Sequence, residues 1–334
     1  MKFDFIIGNP PYQSERSGES TTALPIYNDF MEESYNIGTA VELITPARFL
    51  FNAGRTPKKW NKKMLNSEHL KVLHYEQDAS KIFPDTEIKG GVVITYYDNN
   101  NSFQPIKTFT LFDELNSILR KIETFIDGKA TMESLAFVAS KFNTKELFEN
   151  YPQYSGHERR LSSNVLNFDC FHDDQADEDI LIYGIYNRRR ARRYINRRLI
   201  DMGDENLSKY KIVIPKADGI GTFGDVLTTP EILQEYSGFT HTFLGLGGFD
   251  NQIEAENAMK YIKSKFARAL LSVLKVTQDM NADKWKYVPL QDFTSSSDID
   301  WSQSISDIDQ QLYKKYGLDE LEINFIETHV KEMS

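Results

Sequence analysis

Phe3-Asp4-Phe5-Ile6-Ile7-Gly8-Asn9-Pro10-Pro11-Tyr12 is the stretch on which the reading of the fold turns. Its apolar run is too short for a helix and stops at Gly-Asn-Pro-Pro, so it is expected to be a buried strand that ends in a rigid turn. Working outward, residues 26–35 carry apolar side chains at helical spacing. Residues 41–44 form a second strand, stopped by Thr45-Pro46. Residues 48–66 are rich in helix signals, with breaks near Gly54 and Pro57. Residues 71–75 and 91–97 complete the set as two further strands, joined by a connection over 82–90. Strands alternating with helices predict an α/β fold with a parallel, doubly wound sheet. The polar stretch 98–102 marks a change of character, and a domain boundary is placed at 104. Residues 105–334 read as a second domain of α+β type. It has helices over 111–125 and 254–276, a strand over 211–214 leading into a loop over 215–224, and a last helix over 304–316.

The chain has 334 residues, 40% of them hydrophobic and 26% charged, ordinary values for a globular protein large enough for two cores. No apolar run is long enough to span a bilayer, and Asp4 sits where a secretory leader would be apolar. The single cysteine, Cys170, excludes an intrachain disulfide, and a cytoplasmic location is expected. The net charge of −10 argues against a nucleic-acid partner only if the charges are evenly spread. They are not. Six acids between Asp169 and Asp179 precede seven arginines: Arg188, Arg189, Arg190, Arg192, Arg193, Arg197 and Arg198.

In an open α/β sheet ligands sit beyond the carboxyl ends of the strands, where Asn9-Pro10-Pro11-Tyr12 falls. The amino nitrogen of adenine is a poor nucleophile because its lone pair is delocalised into the ring. Two oxygens placed against its two hydrogens favour a more tetrahedral nitrogen. The side-chain oxygen of Asn9 and the main-chain oxygen of Pro10 are suited to that task. Consecutive prolines hold both oxygens in position, and Tyr12 offers a flat face for an extruded base. The competing reading is a turn that merely ends a strand.

These residues resemble the gamma-type adenine-specific DNA methyltransferases, closest to the methylase and target-recognition part of type IIG restriction-modification proteins. The likeness extends over Ile44-Thr45-Pro46-Ala47-Arg48-Phe49, Ile82-Phe83-Pro84 and Lys89-Gly90-Gly91-Val92-Val93-Ile94. It continues through the segments 254–266, 285–289 and 312–318. The resemblance implies a Rossmann-like methyltransferase sheet over 1–104 and a DNA target-recognition domain over 105–334. It also implies a flipped adenine held between Tyr12 and Phe83, although Phe83 also fits ordinary core packing beside Ile82. S-adenosylmethionine is the implied methyl donor and double-stranded DNA the implied partner.

In that family the cofactor site lies upstream of the Asn-Pro-Pro-Tyr motif. The expectation is therefore a truncated or split form, inactive until a missing N-terminal region or a complementary polypeptide supplies the cofactor-binding half. On that view the strand at 3–8 is an apolar edge open to pairing. Phe243-Leu244-Gly245-Leu246-Gly247 matches the spacing of a cofactor turn. Beyond the helix that comes after it, residues 276–287 read as a polar loop rather than a strand, so a glycine turn inside the recognition domain is the preferred reading.

The arginine run, with Tyr194 and Asn196 among it, suits phosphate contact. A solvated helix face neutralised by the preceding acids is the alternative. Lys216 opens a glycine-rich loop over 216–224 that suits groove contact or serves only as a connection. Asp85, Glu87 and Lys89 hold the residue types of a metal-dependent nuclease but lie too close together to converge on one ion. The six histidines lack ligand spacing, so no metal site is expected. A non-catalytic DNA-specificity module with a vestigial methylase motif is the reading that competes with the enzyme.

Overall fold

The computed structural model describes residues 3–14, 24–51, 55–84, 88, 90–217, 223–224, 226–275 and 279–333. By compactness the chain divides into Met1–Asn116 and Ser117–Ser334.

The first unit runs β1 (Phe3–Gly8), α1 (Tyr27–Ile37), β2 (Gly38–Pro46), a 3-10 helix (Ala47–Phe51), α2 (Lys58–Leu65), β3 (Leu70–Glu76) and β4 (Val92–Asp98). Its sheet has the order β1-β2-β4-β3. β1 and β2 are parallel, whereas β4 is antiparallel to both β2 and β3. Three strands therefore share a direction and β4 runs against them, which corrects the expectation of a parallel sheet. The reversal begins at Gly90-Gly91, whose φ angles of 90° and 76° turn the chain back directly into its neighbour. A Cβ on Gly91 would lie 2.4 Å from the Glu76 carbonyl oxygen.

Side-chain alternation sends Val41, Leu43 and Val93 to one face of the sheet. There they share a core with Tyr27 and Met31 of α1 and with Trp60 and Met64 of α2. Both helices thus cover the same face. Phe49 meets Trp60 with ring centroids 5.3 Å apart, and Tyr27 completes the cluster at 6.4 Å from Phe49. The opposite face carries Phe3, Phe5 and Ile7 of β1, which are 44%, 50% and 73% exposed. The expected helix over 48–66 resolves into the 3-10 helix and α2, with residues 52–54 outside the described residues.

α3 (Asp113–Ile126) contains the division between the units. The second unit continues with β5 (Ala136–Phe137), α4 (Thr144–Asn150), β6 (Asp179–Tyr186), β7 (Arg189–Asn196), β8 (Tyr210–Pro215), β9 (Glu231–Leu233), β10 (Ser237–Phe239), β11 (Phe243–Phe249), α5 (Gln252–Lys263), α6 (Lys265–Ser272), α7 (Ile305–Lys315) and α8 (Glu320–His329). One sheet has the order β10-β6-β7 and the other β5-β11-β8-β9. The expected helix over 254–276 is two helices, because Ser264 leaves helical geometry and caps α6 through the Ala267 amide. α6 is buried from Phe266 to Ser272 and packs on α5, α7 and α8, its one buried cation, Arg268, donating to the carbonyls of Lys263, Gly224 and Lys331. Asp309 of α7 accepts from the amides of Lys265 and Phe266 and so anchors that packing. The helix expected last is followed by α8, which opens on an Asp319–Glu322 capping box.

Lys211 of β8 is fully buried, and its ammonium donates to the carbonyls of Leu207, Gln234 and Ser237. Burial pushes its pKa down to about 8, against the partial compensation of Asp204 and Glu235. Between pH 8 and the ordinary lysine range the unfolded chain holds a proton that the folded chain has released. Stability therefore rises with pH across that window. Urea unfolding should show this component as about 2 kcal/mol between pH 7.5 and pH 10, and Lys211→Met should lack it. Equal pH dependence in the two proteins would show that the buried amine does not titrate in the window.

Candidate functional site

The carboxyl ends of β2 and β3 and the start of β4 meet at Val92, which pairs with Pro46 on one side and Glu76 on the other. Ala47 donates its amide to the Gly91 carbonyl at 3.0 Å, and the Tyr75 hydroxyl donates to that of Gly90 at 3.3 Å. β1 points the same way as β2 and β3, so Asn9-Pro10-Pro11-Tyr12 leaves the sheet at this same end. Four sequence stretches that are far apart along the chain are thus gathered at one margin of the sheet.

Asn9 is exposed, and among the described residues its side chain has no hydrogen-bond partner, which leaves its amide oxygen available to a ligand. Pro10 is half-buried and Pro11 exposed. Tyr12 packs its ring partly against the core of the first unit. Its carbonyl accepts from the Ile26 amide at 3.3 Å, and the Leu24 carbonyl accepts from the Ser14 amide at 2.9 Å. The returning chain therefore clamps the turn from behind. Among the described residues the Tyr12 hydroxyl is buried without a partner, and burial pushes its pKa up to about 12, so it stays protonated.

Phe83 is half-buried and follows β3 through a 3-10 turn, Ala79–Lys81. The turn is built by Asp78, whose carboxylate accepts from the Ser80 amide at 3.1 Å and from its hydroxyl at 2.7 Å. Glu76 accepts from the Asp78 amide and from Lys81. These bonds hold both carboxyls below the usual carboxylate range. The Phe83 amide donates to the Ala79 carbonyl at 2.8 Å, which fixes where the ring starts. β1 and β3 stand three strand positions apart, about 14 Å. The loop over 77–84 has to cover much of that distance for one purine to touch both rings. Asp85, Glu87 and Lys89 lie outside the described residues.

In the second unit the arginine run is a strand rather than a helix face. β6 and β7 form a hairpin whose two turn residues, Asn187 and Arg188, have φ of 50° and 63°, the pairing a two-residue hairpin turn requires. Alternation then distributes the cations. Arg190 donates to the Thr229 carbonyl at 2.8 Å, and Arg192 pairs with Glu231 while lying over the Tyr183 ring. Arg193 points the other way and is 11% exposed in its side chain. It binds Asp173, the Leu166 carbonyl and the Phe171 carbonyl, with its guanidinium over Tyr186. Arg193 is thereby committed to the fold. Arg198 lies 3.5 Å from Glu178, while Arg188, Arg189 and Arg197 are exposed.

Lys216 is half-buried after β8, its ammonium 2.9 Å from His241 Nδ1. Of the loop it opens, residues 218–222 lie outside the described residues. Arg160 and His241, which carried no sequence motif beyond the Arg159-Arg160 doublet, stand beside it.

Phe243, Gly245 and Gly247 belong to β11, paired antiparallel with β5 and β8. The stretch is not a strand-to-helix turn, which corrects both readings of it. Gly245 is there because the Phe137 ring lies on the strand, 2.5 Å from where a Cβ would stand. These residues do not fit the grip of a nucleotide-like cofactor. Among the described residues no acid, histidine or cysteine cluster could hold a metal, and no helix is long and apolar enough to cross a membrane.

A family model described as Eco57I restriction-modification methylase matches residues 1–83. Over 103 residues the chain is 34% identical to an uncharacterized adenine-specific methylase of Mycoplasma pneumoniae. That match takes in 30% of this chain and spans 24% of the relative's length. The solved structure of the type IIG restriction endonuclease BpuSI overlaps 92% of this chain and 50% of its own, with a TM-score of 0.31 and 10% identity. That overlap is too loose for its fold to be transferred.

Proposed function

We propose that the chain is the base-handling and DNA-reading part of a site-specific adenine methyltransferase of a restriction-modification system. The observation that carries this is the gathering of Asn9-Pro10-Pro11-Tyr12, Thr45-Pro46-Ala47, the Phe83 loop and Gly90-Gly91 at one end of one sheet. An adenine drawn out of the duplex lies against Tyr12, with Phe83 on its other side. The Asn9 amide oxygen and the Pro10 carbonyl oxygen accept its two amino hydrogens and bring the nitrogen towards tetrahedral geometry. S-adenosylmethionine, when bound, supplies the methyl group. The exposed hairpin tip with Arg188 and Arg189, together with Arg197, supplies phosphate contacts in this reading.

The cofactor grip is assigned to residues outside this chain's described elements, because the stretch Phe243 to Gly247 weighed for it is a strand. The exposed apolar side of β1, at the margin of the sheet, supports a complementary cofactor-binding region docking there and extending the sheet. The test is reconstitution. The chain is mixed with a polypeptide carrying the cofactor-binding strands of an Eco57I-type methylase, and labelled methyl transfer to adenine in duplex DNA is measured. Transfer that requires both components is the expected result. DNA binding by the chain with no transfer would favour a specificity module with a vestigial motif. Calorimetric binding of S-adenosylmethionine to the chain alone would refute the external cofactor site.

A further inference from the structure

Two segments of the second unit bring their basic groups to the imidazole of a third. Lys216 stands 2.9 Å from His241 Nδ1, and a guanidinium nitrogen of Arg160 stands 3.4 Å from His241 Nε2. Each backbone is fixed independently. The Lys216 amide donates to the Thr242 carbonyl, and the Lys216 carbonyl accepts from the Met280 amide. The His241 amide donates to the Leu161 carbonyl at 2.7 Å, and Arg160 bridges antiparallel to Lys141. The charged groups facing His241 are therefore Lys216, Arg160 and Glu158, the last held by Arg160 at 3.0 Å. Among the described residues no carboxylate lies within ion-pair distance of Lys216.

The hydrogen-bond count does not close. A neutral imidazole offers one acceptor and one donor, whereas an ammonium and a guanidinium offer donors only. One of the two contacts with the ring therefore faces donor to donor. Burial and Arg160 push the Lys216 ammonium below its ordinary pKa. Burial, Lys216 and Arg160 do the same to His241, against the smaller opposing effect of Glu158. The one carboxylate beside the cluster, Glu158, is taken up by Arg160, which leaves Lys216 and the ring without an anionic acceptor, and a group with several oxygens supplies one.

We infer that Arg160, Lys216 and His241 form a binding site for one phosphate of a nucleic-acid backbone, and that His241 takes up a proton when the site fills. The inference rests on the DNA-binding reading above and adds a position and a protonation step to it. The bound anion accepts from Lys216 and Arg160, and from the imidazolium once it has formed. Its charge raises the His241 pKa. The contact is to the backbone, so it adds affinity without base preference.

The experiment uses the whole chain and a duplex of random sequence. Affinity is measured against potassium chloride concentration at pH 6 and pH 8, and the His241 ring is followed by NMR with and without DNA. Lys216→Gln combined with Arg160→Gln is expected to flatten the plot of log affinity against log salt by about 0.9, the loss of one phosphate contact, with each single variant giving part of that change. Lys216→Arg should keep the slope. His241→Gln should lose the tightening of binding between pH 8 and pH 6. In the unaltered chain the His241 titration should move to higher pH when DNA is added, a readout that needs no variant to fold. Tight DNA binding with unchanged slopes, or with an unmoved His241 titration, overturns the site and leaves the DNA-binding reading standing. Absence of DNA binding by the unaltered chain overturns both.

Discussion

Asn9→Ala is expected to lower methyl transfer by the reconstituted enzyme by about 10²–10³-fold, the scale on which a single preorganised polar contact to a reacting centre acts. The expectation stems from what Asn9 does not do in the fold. Its side chain is exposed and makes no hydrogen bond among the described residues, so truncating it leaves no orphaned partner. Thermal stability should change by no more than about 0.5 kcal/mol, as for other surface positions. The turn is set by the two prolines and by the clamp behind Tyr12, so its backbone should survive the substitution. DNA affinity should also be retained. The measurement is single-turnover methyl transfer beside a melting curve and a binding isotherm. A variant that keeps a tenth or more of the rate would remove Asn9 from the chemistry.

Arg193→Ala should destabilise the second unit by about 2–4 kcal/mol, the scale of leaving the Leu166 and Phe171 carbonyls without their charged donor, while the exposed Asp173 carboxylate returns to water. The side chain is nearly buried and gives one bond to a carboxylate and two to carbonyls. Bonds involving a charged group are each worth about 1.5–3 kcal/mol, and truncation strands the acceptors they satisfied. Arg189→Ala, at the exposed start of the same strand, should be within about 0.5 kcal/mol of neutral and should act on DNA binding alone. Urea unfolding of the two variants side by side separates an arginine that holds the fold from one that reaches outward. Equal stability would mean that the three bonds of Arg193 do not survive in solution.

Much of the first unit is written in its sequence. β1, β2, β3 and β4 stand where short apolar runs end at Gly, Pro or polar turns, and the motif falls where a strand ends. The direction of β4 was not legible, because strand orientation depends on tertiary connection rather than on local pattern. The second unit hid more. β7 reads Arg-Arg-Ala-Arg-Arg-Tyr-Ile-Asn, with charge on both faces, because Arg190 and Arg192 meet Glu231 while Arg193 plugs into carbonyls on the other side. Nothing in the order of residues distinguishes those fates. The glycines of β11 suggest a turn until Phe137 is seen lying on one of them. α8 could have been found, since Asp319 and Glu322 are spaced as a capping box. The Lys216, Arg160 and His241 cluster joins residues up to 81 positions apart, and only the fold brings them together.

The flank of β1 that no described strand covers also bears on how the polypeptide behaves in a cell and in a tube. Phe-Asp-Phe-Ile-Ile-Gly is a short, β-prone segment in which Asp4 is the lone gatekeeper against cross-β stacking. Left uncapped, such a ribbon templates copies of itself, and aggregation should rise steeply with concentration. Synthesis alongside a capping region would suppress that self-templating.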